Sequence, residues 1–167
     1  MQGGLSKHES FALLANFVNG AVTYSQRATA GDPVLWRAFD DKVVDVLSRW
    51  LGSMLSPMSR RILFLPAKLG GAGLSSAERR TDPAFAASWQ KVQESVLKSQ
   101  AVDTLEQSEL KAPLLHAAVR TARERILAAG GSISIGNQKA MTQSLTLHER
   151  RQLLESLQAS EPDARHC

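Results

Sequence analysis

The residues best suited to chemistry are few, and their spacing argues against most reactions. Asp40 and Asp41 are the one adjacent acidic pair in the chain. Neighbours on a helix diverge by about 100°, so the two carboxylates cannot face one metal ion, and a solvated helix face is expected for them. Asp45 with Arg49 is an ordinary i,i+4 pair. His8, His116, His148 and His166 show neither HExxH nor HxxxH spacing, and His166 with Cys167 supplies at most two ligands of a tetrahedral zinc site. No GxSxG elbow is present, and Cys167, the single cysteine, has no base placed to activate it. Gly70-Gly71-Ala72-Gly73 matches neither GxxxxGK[ST] nor GxGxxG, and it reads as a tight chain reversal. No catalytic residue, metal site or cofactor is expected, and the chain is read as a non-enzyme.

Charge offers a binding function instead. Between Pro57 and Arg80 stand five bases, Arg60, Arg61, Lys68, Arg79 and Arg80, against the single acid Glu78. The chain's net +4 resides there, since the remaining bases and acids balance. If these five side chains converge, they form a sequence-independent site for phosphates, because neutralising a polyanion releases its counterions. With Phe64, part of the apolar run 62–65, as the one aromatic residue among them, they are not a specific nucleic-acid signature. His116, Arg120 and Arg123 form a second, weaker basic stripe that reads as a solvated face.

Helices must position these groups. Ser6-Lys7-His8-Glu9 is a capping box ahead of an apolar stripe at Phe11, Leu14, Val18 and Val22. Asp32-Pro33 predicts a second start, followed by Trp36, Phe39, Val43, Val46 and Trp50 on one stripe. Gly52 and Pro57 bound that helix. Ile62 to Leu65, stopped by Pro66, is either a buried extended segment or the last turn of a helix opened by Pro57. Asp82-Pro83 predicts a third helix with Phe85, Trp89, Val92 and Val96, and Pro113 a fourth with Leu115, Val119, Ala122 and Ile126, capped at Gly130-Gly131. Thr146-Leu147-His148-Glu149 is a second capping box, opening a helix with Leu153, Leu154 and Leu157. The expected architecture is all-α, a bundle of five or six helices with a Gly-rich loop. Residues 1–130 form the helical module, 131–145 a linker, 146–160 a terminal helix and 161–167 a disordered tail.

At 167 residues with 43% apolar and 22% charged side chains, the composition fits one folded module and excludes disordered and collagen-like classes. One cysteine excludes an intrachain disulfide framework and leans towards an intracellular setting. No apolar run reaches the length of a membrane span, and Phe11 to Val22, broken by Asn16, Asn19 and Gly20, is an amphipathic helix in preference to a secretory signal.

The segment Leu65-Pro66-Ala67-Lys68-Leu69-Gly70-Gly71-Ala72-Gly73-Leu74-Ser75-Ser76-Ala77 resembles a stretch found beyond the catalytic palm in reverse-transcriptase-like proteins of non-LTR retrotransposons. The resemblance continues at Ala12-Leu13-Leu14, at Phe39-Asp40 with Val43 and Leu47, at Leu51-Gly52, and at Pro83-Ala84-Phe85 with Ala87-Ser88-Trp89, covering roughly residues 10–155. It implies the helical, thumb-like and connecting part that holds a template–primer duplex by its backbone. The family's palm aspartates and downstream Cys/His segments have no counterpart in this chain, Ala72 replaces a commonly bulkier residue, and Met1 and Cys167 look like truncation points. The implied function is that of a non-catalytic fragment binding RNA, DNA or their hybrid through Arg60, Arg61, Lys68, Arg79 and Arg80. The alternative is a protein-interaction module whose aromatic stripes dock onto a palm-containing chain or a second copy.

Overall fold

The computed structural model describes residues 6–98 and 104–160. They hold eight α-helices and no strand: α1 (Lys7–Ala21), α2 (Thr23–Ala28), α3 (Pro33–Leu51), α4 (Pro57–Leu63), α5 (Ala77–Lys98), α6 (Leu105–Lys111), α7 (Pro113–Ala128) and α8 (Gln138–Ser160), with a 3-10 turn at Ala67–Leu69. The fold is all-α. Five or six helices were expected, and the larger number comes from α2, α4 and α6, whose six or seven residues are too few for a stripe to repeat. The tail at 161–167, with His166 and Cys167, lies outside the described residues, as do the side chains of Val18 and Val96.

Local signals set most helix starts. The Ser6 hydroxyl accepts from the Glu9 amide at 3.2 Å while Glu9 accepts from the Ser6 amide at 2.8 Å, closing the capping box of α1. Asp32 accepts from the Val34 amide at 2.9 Å, and α3 ends on Gly52 at φ +72. Ser56 caps α4, whose last turn contains Ile62 and Leu63 and delivers Phe64 and Leu65 into the core. Of the two readings of that run, the helical one is correct. Gly130, at φ +75, ends α7, and the Gly131 amide returns to the Ile126 carbonyl at 2.9 Å.

Two expected starts are wrong, each for a tertiary reason. Asp82-Pro83 does not open a helix; α5 starts six residues earlier and carries Pro83 inside it. An interior proline costs about 3 kcal/mol because it leaves the carbonyl four residues back without its amide donor. Offsetting this, Asp40 of α3 reaches across to cap α5, accepting from the Ala77 amide at 2.8 Å, the Glu78 amide at 3.2 Å and the Ser76 hydroxyl at 2.6 Å. Asp40 is therefore 2% exposed and not on a solvated face. Burial raises its carboxyl pKa above the usual range, against the pull of its three donors. Asp82 instead takes a two-pronged contact from Arg125 of α7, at 2.9 and 2.6 Å.

The second correction concerns 131–145, expected as a linker. Asn137 accepts from the Ala140 amide at 3.0 Å, α8 begins at Gln138, and Met141 and Leu145 are buried. Thr146 lies inside this helix with its hydroxyl on the Thr142 carbonyl at 2.9 Å, so the second capping box does not form.

Helix α5 is the hub, packing on α2, α3, α7 and α8. One core joins Val43, Val44 and Leu47 of α3 to Phe64 and Leu74, with Phe11 and Leu14 of α1 laid against it. A second joins Ala86 and Ala87 of α5 to Ile126, Met141 and Leu145; a third joins Phe85 to Val119 and Ala122. Each fully buried leucine or isoleucine in these clusters contributes about 1.5–3 kcal/mol. The expected α3 stripe is rotated, since Val46 is 44% exposed while Val44, Leu47 and Ser48 turn inward.

Candidate functional site

The glycine segment folds back on the end of α4. Gly70 and Gly73 both have φ +85, the Gly73 amide bonds the Leu65 carbonyl at 2.9 Å, and a side-chain carbon at Gly71 would lie 2.1 Å from that same oxygen. This reversal places Pro66, Lys68 and Leu69 in the lining of a cleft of about 1050 Å³. Its other walls come from α2, α5 and the first three turns of α8.

Buried Gln26 sets the α2 wall. It is 0% exposed, donates to the Ala77 carbonyl at 2.7 Å, and accepts from the Arg80 guanidinium at 3.3 Å, locking α2 to the first turn of α5. Arg80 also donates to the Thr23 hydroxyl at 2.8 Å. Arg27, one turn beyond Thr23, reaches the Gln138 side chain of α8 at 3.2 and 3.3 Å. On the far side, Gln90 of α5 accepts from the Gly136 amide at 2.8 Å and fixes the turn that launches α8.

Five cations line this cleft: Arg27, Lys68, Arg80, Lys91 and Lys139. Among the described residues lining it, none is Asp or Glu. Lys68, Lys91 and Lys139 are exposed and form no ion pair among the described residues. Burial lowers the pKa of the Arg80 guanidinium, with the Asp40 charge opposing and Arg27 adding to the fall. Small residues Ala87 and Ser88 form part of the lining, and the Thr142 hydroxyl oxygen is buried without a hydrogen-bond partner among the described residues. The start of α8 adds the partial positive charge of a helix N-terminus. Such a lining is complementary in charge to an extended anion, and none of its described residues carries a carboxylate or imidazole.

The expected patch of five bases therefore divides. Lys68 and Arg80 line the cleft. Arg60 pairs with Asp41, and Arg61 with Glu149 of α8. Arg79 is largely buried in a separate cavity of about 430 Å³, donating to the Phe64 carbonyl at 3.3 Å and lying 4.0 Å from Glu149. Burial lowers its pKa, with Glu149 opposing. These three arginines tie α3, α4, α5 and α8 together. Two residues of the second basic stripe are likewise engaged: Arg120 pairs with Glu109 at 2.9 Å, and His116 bonds Ser108 at 3.1 Å and meets the Trp89 ring edge-on.

Arg27, Lys91 and Lys139 escaped the sequence reading. A signal exists for one of them: Arg80 and Lys91 are 11 residues apart, three helical turns, and share a face once α5 starts at Ala77. The aromatic stripes are engaged within the chain, with Trp36 and Phe85 buried and Trp50 and Trp89 half-buried against the cores. Among the described residues no helix is long and apolar enough to cross a membrane, and no cluster of His, Cys, Asp or Glu is arranged to hold a metal ion. Compared with family models, curated proteins and solved structures, the chain matches none.

Proposed function

We propose that the chain binds the sugar-phosphate backbone of nucleic acid in the cleft between α2, α5 and α8, and that it does so without catalysis, as a thumb-like fragment of a retrotransposon reverse transcriptase. The single observation carrying the binding claim is the lining: five cations from four parts of the chain and no carboxylate among the described residues. Phosphates need no more than this for sequence-tolerant affinity. The lineage rests on the resemblance around residues 65–77 and on the helical fold that it implies.

Filter-binding titration at two salt concentrations tests the claim. With five phosphates neutralised, log affinity falls against log salt with a slope of up to about −3.5 for a single strand and about −4.5 for a duplex. No binding at low salt rejects the proposal.

A further inference from the structure

We infer that Tyr24 is a stacking platform for an unpaired nucleobase, so that the cleft favours single-stranded over fully paired nucleic acid; this deepens, and rests on, the backbone-binding reading. Tyr24 is the chain's one tyrosine and is 82% exposed. It sits on α2 between Thr23 and Arg27, both of which line the cationic cleft. Its hydroxyl has no hydrogen-bond partner among the described residues.

The cleft itself explains what the ring is for. None of its described lining residues is aromatic, so its walls can hold phosphates but cannot stack a base. Tyr24 is not itself part of the cleft lining, but it adjoins Thr23 and lies three residues before Arg27, a neighbouring position on the surface of α2, so a base of a strand whose phosphate meets Arg27 can reach the ring. A ring next to a cationic track is the combination that single-strand binders use, since every base offers a π-face while a paired duplex hides it. Phe64, the aromatic residue of the basic segment 57–80, is buried in the first core and cannot stack a base, whereas Tyr24 on α2 offers an exposed ring beside Arg27. Arg27, three residues on, neutralises the phosphate nearest the stacked base.

Fluorescence anisotropy with oligothymidylate, with the same strand fully paired, and with inorganic polyphosphate as competitor tests the inference. The wild-type chain should bind the single strand more tightly than the duplex. Tyr24→Ala should weaken the single strand about tenfold while duplex and polyphosphate change by less than about twofold, and Tyr24→Phe should behave as wild type. Equal single-strand affinity of Tyr24→Ala and wild type overturns the stacking role, as does an equal loss for strand and polyphosphate. If the wild type binds neither strand nor polyphosphate, the cleft reading falls and the stacking role falls with it.

Discussion

Asp40 accepts the Ala77 amide at 2.8 Å across 37 residues of chain, and that bond sets where α5 begins. The register of α5 in turn puts Arg80 and Lys91 on one face, towards the cleft. Asp40→Ala leaves the buried first-turn amides of α5 without their acceptor and should destabilise the fold by about 2–4 kcal/mol. Urea unfolding reads this directly. A loss below about 0.5 kcal/mol would mean that Ser76, whose hydroxyl accepts from the Arg79 amide at 3.1 Å, suffices to cap the helix.

Structural and binding arginines should separate cleanly. Arg61 and Glu149 are partly screened, at 33% and 23% exposed, so Arg61→Ala should cost about 1 kcal/mol of stability. Its effect on nucleic-acid affinity should be within about twofold. Lys91→Ala should do the reverse, leaving the melting temperature unchanged and reducing the salt slope by about 0.7–0.9. An Arg61→Ala variant of wild-type stability with a reduced salt slope would return Arg61 to the binding surface.

Adjacent glycines should differ in kind. Gly70→Ala meets open space, and only its φ of +85 is strained, for about 1–2 kcal/mol. Gly71→Ala drives a carbon against the Leu65 carbonyl, which is backbone and cannot swing aside, and should cost about 3 kcal/mol or more. Urea midpoints of the two variants provide the comparison, and equal losses would contradict the close approach.

How far the residues announce this structure depends on where their partners lie. The starts of α1, α3 and α7 were legible because Ser6, Asp32 and Pro113 act within their own first turn. The start of α5 was missed although Ser76 caps it locally, accepting from the Arg79 amide at 3.1 Å, because the two amides before that are taken by Asp40 on another helix and the stronger local pattern at Asp82-Pro83 misleads. In α8 the first turns are polar apart from Ala140, Met141 and Leu145, too sparse a stripe to see before the second core is known. The same distinction governs the site. Lys68 and Arg80 stood out as part of the charged segment, but Arg60 and Arg61 did too, and one of their partners, Glu149, is 88 residues away from Arg61. Lys91 sits among balanced charges and Lys139 is the lone Lys, Arg, Asp or Glu between 131 and 148, and the two come to one cleft only when α5 and α8 pack together.

Phosphate binding in the cleft is tested most directly by the affinity of the Lys91→Glu, Lys139→Glu double variant for oligothymidylate across a salt series. Both side chains are exposed and form no ion pair among the described residues, so the fold should persist, as a far-ultraviolet spectrum and melting curve will confirm. Loss of two cations should flatten the slope of log affinity against log salt by about 1.4 from the wild-type value, with a marked fall in affinity at low salt. A folded double variant that matches wild type in both affinity and slope would show that the cleft is not where phosphates bind.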